Sequence, residues 1–377
     1  MQYVPFGKTG HQVSRLGFGM MRLPTLKKGD SQVIDREEAV RMLRRAIDAG
    51  VNYVDTAYGY HGGESEILTG IGLKDGYRSR VMLTTKLPQW LVEKYSDMDR
   101  LLDEQLKKLD VSYLDFYLLH ALNGNAFDKL KRLNYGKFLE KAKSDGRIRR
   151  AGFSFHDGKD AFLRIIDDYD WDMAQIQFNY LDDTAQATLD GLLYAQEKGI
   201  PIVVMEPLRG GALANPPEDI KEMIDGNPKG WSPVEWAFRY VGDFQNVATV
   251  LSGMTTMEQV EDNLRIFENV RINGLQDEDK AFLTALKQRY LSRIKVGCTA
   301  CGYCQPCPQG IQIPRIFEAY NEAYMLNRPD SLKWNYGGII RDGADGSLCV
   351  ACGQCESACP QGLPIISLLQ QIDAEAR

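Results

Sequence analysis

Four side chains suited to acid–base chemistry each follow a short apolar run of the sequence: Asp55, Tyr60, Lys86 and His120. A tyrosine hydroxyl ordinarily titrates near pH 10, and a neighbouring ammonium group favours its phenolate. A buried lysine in turn needs a carboxylate partner to keep its charge. We therefore expect Asp55 to hold Lys86, and Lys86 to lower the pKa of Tyr60. Tyr60 would then protonate a carbonyl oxygen, while His120 orients the substrate.

Each of these residues alone has an ordinary structural explanation. Asp55 suits a turn cap, Tyr60 is one of 18 tyrosines, and Lys86 suits an exposed strand end. A lone His120 is most often a core histidine. Their joint position at the ends of neighbouring apolar runs favours a shared chemical role.

The elements that must position these residues are short strands alternating with helices. Apolar runs predict strands at Leu16–Phe18, Tyr53–Asp55, Val81–Thr85, Leu114–Leu119, Arg149–Phe153, Ala174–Phe178, Ile200–Met205 and Val247–Leu251. Helical patterns follow them at Arg36–Ala49, Ser65–Ile71, Met98–Leu109, Gly136–Ser144, Lys159–Asp168, Ala185–Gln196, Pro233–Tyr240 and Met257–Phe267. This alternation predicts an α/β fold, a (β/α)8 TIM barrel. A doubly wound open sheet is the alternative, but its Gly-x-Gly-x-x-Gly turn is missing.

The N-terminal residues predict a small β-hairpin before the first barrel strand. Tyr3–Phe6 and Gln12–Ser14 flank the turn Gly7-Lys8-Thr9-Gly10. In a barrel this hairpin would plug the bottom; a frayed terminus is the other interpretation.

The motif Asp55-Thr56-Ala57-x-x-Tyr60, followed by Lys86 and His120, resembles the catalytic tetrad of the aldo-keto reductase family. The resemblance covers roughly residues 1–270. It implies a barrel that binds NADP or NAD in extended form without a Rossmann domain. It also implies reversible hydride transfer between that cofactor and a small-molecule carbonyl or alcohol.

The same resemblance implies which residues bind the nucleotide. Ser154, Gln175 and Met205 match positions around the nicotinamide. The pyrophosphate and adenosine positions correspond to Pro207, Leu208, Arg209, Gly210, Ser252, Gly253, Met254, Gln259 and Asn263.

Several positions depart from the family pattern. Phe155 stands where an asparagine is frequent, and Met205 where a tyrosine often stacks on the nicotinamide. Gly253 and Gln259 stand where Lys or Arg often binds the 2′-phosphate. A 2′-phosphate needs a cationic partner for strong binding, so the choice between NADP and NAD stays open. Arg209 and Arg265 are nearby candidates.

All eight cysteines lie near the C-terminal end, in two runs. The runs are Cys298-x₂-Cys301-x₂-Cys304-x₂-Cys307-Pro308 and Cys349-x₂-Cys352-x₂-Cys355-x₃-Cys359-Pro360. The second spacing is typical of a bacterial [4Fe–4S] ferredoxin, and the first is one residue shorter. Zinc held by Cys-x₂-Cys pairs is the alternative, but the third Cys and the following Cys-Pro argue against it.

In two-cluster ferredoxins the fourth Cys of each run binds the other cluster. By that analogy one cluster would use Cys298, Cys301, Cys304 and Cys359, and the second would use Cys349, Cys352, Cys355 and Cys307. A single cluster is the alternative. Predicted helices at Pro314–Leu326 and Pro364–Ala376 favour a small, mainly helical ferredoxin-like domain, with a linking helix at Asp277–Ile294.

Composition sets the broad class. The 377 residues carry 45 basic and 51 acidic side chains, a net charge of −6, so no basic footprint indicates nucleic-acid binding. No signal peptide or long apolar stretch is visible, so we expect a cytoplasmic protein without a membrane partner. We predict two domains, residues 1–295 for the barrel and 296–377 for the iron–sulfur region.

Two functions remain after these observations. The first is an NAD(P)H-dependent aldo-keto reductase-like oxidoreductase whose clusters serve electron transfer, sensing or structure, with an external electron-transfer partner as one option. The second is a non-catalytic nucleotide-binding redox sensor. The complete set of four acid–base residues favours the first. Substrate identity depends on predicted loops such as Ala121–Leu133 and Leu213–Trp231, which carry no recognisable code.

Overall fold

The computed structural model describes residues 1–29 and 31–377. The chain forms two compact units, one of Met1–Gly211 with Val234–Gln276, the other of Ala212–Pro233 with Asp277–Arg377. The predicted linking helix, seen at Asp277–Leu291, therefore groups with the second unit. The domain division between residues 295 and 296 stays a prediction.

The strands all belong to the first unit. They are β1 (Tyr3–Pro5), β2 (Gln12–Ser14), β3 (Leu16–Gly19), β4 (Thr25–Lys28), β5 (Ser31–Ile34), β6 (Tyr53–Asp55), β7 (Met82–Leu87), β8 (Leu114–Leu122), β9 (Ile148–Phe155), β10 (Met173–Gln177), β11 (Ile202–Met205) and β12 (Val247–Gly253). Eight strands of the described chain close into a parallel barrel in the order β10-β11-β12-β3-β6-β7-β8-β9. Pairing of β9 with β10 closes the ring, which confirms the TIM barrel over the open sheet.

Helices follow the barrel strands and make up most of the second unit. They are α1 (Arg36–Asp48), α2 (Glu64–Gly72), α3 (Tyr95–Leu109), α4 (Gly124–Arg132), α5 (Tyr135–Ser144), α6 (Lys159–Ile166), α7 (Thr188–Glu197), α8 (Glu218–Asp225), α9 (Pro233–Gly242), α10 (Met257–Phe267), α11 (Asp277–Leu291), α12 (Ile313–Met325), α13 (Pro329–Arg341), α14 (Gln354–Ala358) and α15 (Ile365–Ala376). None of these helices, within the described ranges, has the length and apolar character needed to span a bilayer.

Helix α1 shows how the sequence specifies the outer layer. Asp35 caps the helix by accepting a hydrogen bond from the Glu38 N–H. The buried side chains recur at helical spacing and form one apolar face, from Ala39 through Met42 and Leu43 to Ile47. That face packs into the continuous core between helices and barrel.

The N-terminal hairpin closes the bottom of the barrel, as predicted. Strands β1 and β2 pair antiparallel. Phe6 between them is fully buried, with ring centroids 5.8 Å from Tyr53 and 4.8 Å from Phe116. Tyr53 begins β6, so the plug lies at the end of the barrel opposite the strands' carboxyl ends.

Two segments predicted to be loops contain helices. Helix α4 forms within Ala121–Leu133. Asn123 caps its N-terminus, and the burial of Phe127 and Leu130 stabilises it. Helix α8 lies within Leu213–Trp231 and buries Ile220 and Ile224. The β4–β5 hairpin was also not predicted; its side chains are mostly exposed, so no buried alternation marks it.

The second unit has a small helical core of its own. Buried side chains of α12, α13 and α15 form it, among them Phe317, Tyr336 and Leu369. The Tyr336 hydroxyl donates to Asp373 at 2.7 Å and accepts from the Gly346 N–H at 2.9 Å. The predicted helices at α12 and α15 are present, and α13 is an additional one.

Candidate active site and thiol sites

The carboxyl ends of three neighbouring barrel strands carry the predicted acid–base residues. Asp55 ends β6, Lys86 lies near the end of β7, and His120 lies near the end of β8. Tyr60 begins the short 3-10 turn after β6. Because β6, β7 and β8 are adjacent in the barrel, the four residues meet at one face.

Lys86 is the centre of this group. Its Nζ donates to Asp55 Oδ1 at 2.6 Å, to the Thr56 carbonyl oxygen at 2.9 Å and to the Tyr60 hydroxyl at 3.3 Å. The Lys86 side chain is fully buried. Burial lowers the pKa of Lys86, but Asp55 and Tyr60 outweigh it, so the pKa lies above its ordinary value. Lys86 therefore keeps its charge.

The Tyr60 hydroxyl holds its proton at neutral pH. Burial raises the pKa of Tyr60 above its ordinary value, and the charge of Lys86 acts in the opposite direction without reversing the shift. Lys86 thus lowers the Tyr60 pKa as predicted, but the net direction is upward. The physical reason is desolvation. The free energy lost when a phenolate is removed from water exceeds the free energy gained from its attraction to Lys86, which is already paired with Asp55.

His120 lies between two aromatic rings and is neutral. Its ring centroid is 6.1 Å from that of Tyr60 and 5.1 Å from that of Trp90. Burial, reinforced by the charge of Lys86, holds the pKa of His120 well below its usual range. Its Nδ1 is buried and has no hydrogen-bond partner within the described ranges. Trp90, 48% exposed, borders this site and was not singled out by sequence.

A buried polar network behind the site was also missed. Glu66 Oε1 accepts hydrogen bonds from the Thr85 hydroxyl and from Gln105 Nε2, both at 2.6 Å. Gln105 Nε2 also donates to the Lys86 carbonyl oxygen at 2.9 Å, and Tyr117 donates to Gln105 Oε1. The network fixes the backbone that carries Lys86. A glutamine on the apolar face of α3 is the sequence signal that marks it.

The residues predicted around the nicotinamide lie together on neighbouring strands. Gln175 on β10 is in register with Ser154 on β9. Gln175 Nε2 lies 3.7 Å from Met205 Sδ on β11. The Ser154 hydroxyl oxygen accepts from the Ala121 N–H at 2.8 Å.

The loop after β11 contains the predicted pyrophosphate residues Pro207, Leu208, Arg209 and Gly210. Its backbone turns sharply, with φ of 49° at Arg209 and 62° at Gly210. Arg209 forms an ion pair with Asp182 at 3.1 Å. Arg265, the other candidate for a 2′-phosphate, pairs with Asp262 at 2.7 Å. Both arginines therefore already have carboxylate partners.

The predicted adenosine residues lie at the end of β12 and the start of α10. Asn263 Nδ2 donates to the Ser252 hydroxyl at 3.0 Å. Gln259 Oε1 accepts from the Thr255 N–H at 2.7 Å. Met254 is buried, and Gly253 ends the strand.

The unsatisfied groups of the barrel mouth fit a nicotinamide nucleotide. Gln175 Oε1, a hydrogen-bond acceptor suited to a carboxamide N–H, is buried without a partner within the described ranges. His120 Nδ1 and Asp55 Oδ2 are also buried without a hydrogen-bond partner in the described part of the chain. A buried polar atom without a partner costs free energy, so such atoms mark where a ligand contributes hydrogen bonds.

The eight cysteines are free thiols arranged around two cavities of the second unit. One cavity is lined by Cys298, Cys301, Cys304 and Cys359. The other, about 200 Å³, is lined by Cys304, Cys307, Cys349, Cys352 and Cys355. Cys359 thus lines the cavity of the first run and Cys307 the cavity of the second, and the exchange of fourth ligands stays a prediction.

The thiol arrangement fits iron–sulfur clusters. In residues 1–29 and 31–377, no three His, Cys, Asp or Glu side chains converge tightly enough for a single metal ion. Thiolates around a [4Fe–4S] cubane bind different iron atoms, so their sulfurs are spaced more widely than those around one zinc. The first cavity offers four thiols and the second offers five, with Cys304 lining both, and in each cavity they come from two separate chain segments.

Comparison with known proteins agrees with both halves of this description. The family model "Aldo/keto reductase family" matches residues 15–279, and the model "4Fe-4S dicluster domain" matches residues 297–363. L-galactose dehydrogenase of Arabidopsis thaliana is 26% identical, with 74% of this chain and 92% of that protein covered. NADH-specific methylglyoxal reductase of Escherichia coli is 26% identical, with 70% and 93% covered.

A solved structure extends the likeness to three dimensions. The aldo-keto reductase AKR11C1 of Bacillus halodurans, in its holo form, is 25% identical. It superposes with a TM-score of 0.64 over 76% of this chain and 96% of that chain. The chain is therefore an oxidoreductase that belongs to the aldo/keto reductase family and carries a C-terminal 4Fe-4S dicluster domain.

Proposed function

We propose that the barrel interconverts a small carbonyl compound and its alcohol with a nicotinamide nucleotide. The observation that carries this proposal is the contact of Lys86 Nζ with both Asp55 Oδ1 and the Tyr60 hydroxyl. A protonated phenol beside a fixed ammonium is the arrangement needed to protonate a carbonyl oxygen.

Each side chain has a separate task in the reduction. The substrate oxygen accepts hydrogen bonds from the Tyr60 hydroxyl and from the neutral His120 ring. Tyr60 gives its proton to that oxygen, and the positive charge of Lys86 stabilises the phenolate that remains. Asp55 keeps Lys86 charged and in place. The oxidation of an alcohol runs through the same groups in reverse.

The nucleotide supplies, when bound, the hydride that the carbonyl carbon receives. Ser154 and Gln175 would hold the carboxamide, and Met205 would pack against the ring. The loop Pro207–Gly210 would hold the pyrophosphate. The residues for the adenosine end are Ser252, Gly253, Met254, Gln259 and Asn263.

The side chains around His120 suit a small carbonyl compound or alcohol as the substrate. Trp90 provides an apolar wall next to His120, and its partial exposure leaves it available to a ligand. The two relatives compared above are named for oxidation of L-galactose and reduction of methylglyoxal, both small polar molecules. We therefore propose a substrate of similar size.

The C-terminal iron–sulfur region would carry two [4Fe–4S] clusters, and the fourth cysteine of each run would bind the cluster of the other run. One would be bound by Cys298, Cys301, Cys304 and Cys359, the other by Cys349, Cys352, Cys355 and Cys307. When bound, each cluster accepts or donates a single electron. Exposed Tyr303 and Val350 line the second cavity, so an external electron-transfer partner would approach there. Since hydride transfer moves an electron pair, we propose that carbonyl reduction does not use the clusters.

A pair of tyrosine variants tests the acid role. Tyr60→Phe should lower turnover of an aldehyde by about 10²- to 10⁴-fold, because the proton donor is lost. Tyr58→Phe is the matched control, since its hydroxyl bonds to Glu104 rather than to Lys86. The measurement is nicotinamide absorbance under anaerobic conditions with a panel of carbonyl compounds. Turnover of Tyr60→Phe within a few-fold of the unmodified protein would contradict the assignment.

A further inference from the structure

Arg22 lies where two of the proposed nucleotide-binding loops come together. It follows β3, and its side chain passes over Gly253 and reaches Gly210. A Cβ built on Gly253 would lie 2.6 Å from Arg22 Cγ, and one built on Gly210 would lie 3.3 Å from an Arg22 guanidinium nitrogen. The stem of the side chain thus crosses the end of β12, and its charged tip is at the loop after β11.

The backbone of Arg22 is fixed while its charge is free to bind a ligand. The Thr255 hydroxyl donates to the Arg22 carbonyl oxygen at 3.0 Å, and Gly19 on β3 is in register with Gly253. The residue is exposed, and it forms no ion pair within residues 1–29 and 31–377. The nearby Glu206 carboxylate accepts from the Gly210 N–H instead. Arg22 therefore differs from Arg209, whose charge is paired.

The position of Arg22 excludes a larger side chain at Gly253. Gly253 stands where the family resemblance leads one to expect Lys or Arg. Any side chain at that position would collide with Arg22 Cγ or Cβ, at 2.6 and 2.8 Å from the added Cβ. Arg22 therefore occupies the space that a side chain at position 253 would need.

We propose that Arg22 binds the pyrophosphate of the nicotinamide nucleotide. The inference rests on the proposed function and specifies its cofactor contact. A guanidinium offers paired N–H donors that match phosphate oxygens, and such charge-assisted bonds are stronger than neutral ones. The tip of Arg22 is directed to Gly210 in the loop assigned to the pyrophosphate. The pyrophosphate is common to NAD and NADP, so Arg22 contributes equally to both.

Binding measurements on the full chain test this inference without relying on turnover. Calorimetric titration with NADH and with NADPH, under anaerobic conditions, gives the dissociation constants. Arg22→Met should weaken both by about 10- to 100-fold, and their ratio should stay the same. Arg22→Lys should retain part of the affinity, because lysine keeps the positive charge but lacks the paired N–H donors of the guanidinium. Lys28→Met removes an exposed cation of the β4–β5 hairpin and should change neither constant.

A second variant moves Arg22 without removing its charge. Gly253→Ala places a methyl group against the arginine stem and should also weaken both nucleotides. Thermal unfolding of each variant checks that the barrel is intact.

The outcomes separate this inference from the proposed function. Unchanged affinity in Arg22→Met overturns the inference and leaves the proposed function standing. Weakening of NADPH alone overturns the pyrophosphate assignment and moves Arg22 to the 2′-phosphate. Failure of the unmodified protein to bind either nucleotide overturns the proposed function, and the inference with it.

Discussion

The barrel and the cysteine-rich unit hold their functional groups in different ways. At the barrel mouth, Lys86 is held by Asp55 and by a backbone carbonyl, and Gln105 holds the strand behind it. In the second unit the eight thiols carry no disulfide, and they lie around two cavities. The protein's own packing thus fixes the first site, whereas we expect the second site to depend on bound clusters.

This difference has a thermodynamic consequence. The core of the second unit is small, and several cysteines pack against it from its edge. Where metal ligands must gather around a cluster, the free energy of metal binding becomes free energy of folding. The barrel has an extended apolar core that involves nearly all its strands and helices. Removal of metal should therefore lower the stability of the second unit and leave the stability of the barrel unchanged.

The largest expected effect comes from removing iron. Anaerobic chelation should unfold residues 297–363 while the barrel keeps its structure, because only the cysteine-rich unit depends on clusters. Limited proteolysis followed by mass spectrometry measures this, with cleavage expected between the two cysteine runs. Nucleotide binding by the remaining barrel is the control. If residues 297–363 stay resistant to protease after complete loss of iron, the expectation that their fold depends on clusters is wrong.

A smaller effect is expected from breaking the buried ion pair of the barrel. Lys86→Met removes the cation that stabilises the buried Asp55 carboxylate, so Asp55 must take up a proton or stay charged without a partner. Either outcome should reduce the free energy of unfolding, by up to about 3–5 kcal/mol. The double variant Lys86→Met with Asp55→Asn removes the buried charge and should recover much of that loss. Chemical denaturation of the barrel measures both, and cluster absorbance should not change.

The matched control for this variant is Lys159→Met. Lys159 lies 2.9 Å from Asp190, both side chains are exposed, and the loss of this pair should lower the free energy of unfolding only slightly. A stability loss for Lys86→Met no larger than that of Lys159→Met would show that Asp55 is not held as an ion pair.

The sequence predicts the barrel and the meeting of its acid–base residues because local patterns determine both. Buried parallel strands appear as apolar runs, and polar residues at their ends must share one face once the barrel closes. The exchange of Cys307 and Cys359 is predicted by analogy with two-cluster ferredoxins, and each of these two thiols lines the cavity of the other cysteine run. Helix α4 was missed although Asn123 and Phe127 carry its capping and apolar signals.

Other features depend on tertiary packing that no local pattern records. The role of Arg22 arises only where its side chain crosses Gly253, which is distant in sequence. The net direction of the Tyr60 pKa depends on burial, which a spacing pattern does not give. The β4–β5 hairpin is exposed on both faces, so it lacks the buried alternation by which strands are usually found.

We propose that the barrel reduces a carbonyl compound by direct hydride transfer without the clusters. The most direct measurement follows deuterium from NADH or NADPH labelled at nicotinamide C4 into the alcohol, by mass spectrometry, before and after iron removal. We predict one deuterium on the carbinol carbon in both preparations. Loss of the label to solvent, or loss of turnover in an iron-free protein whose barrel still binds nucleotide, would contradict the account.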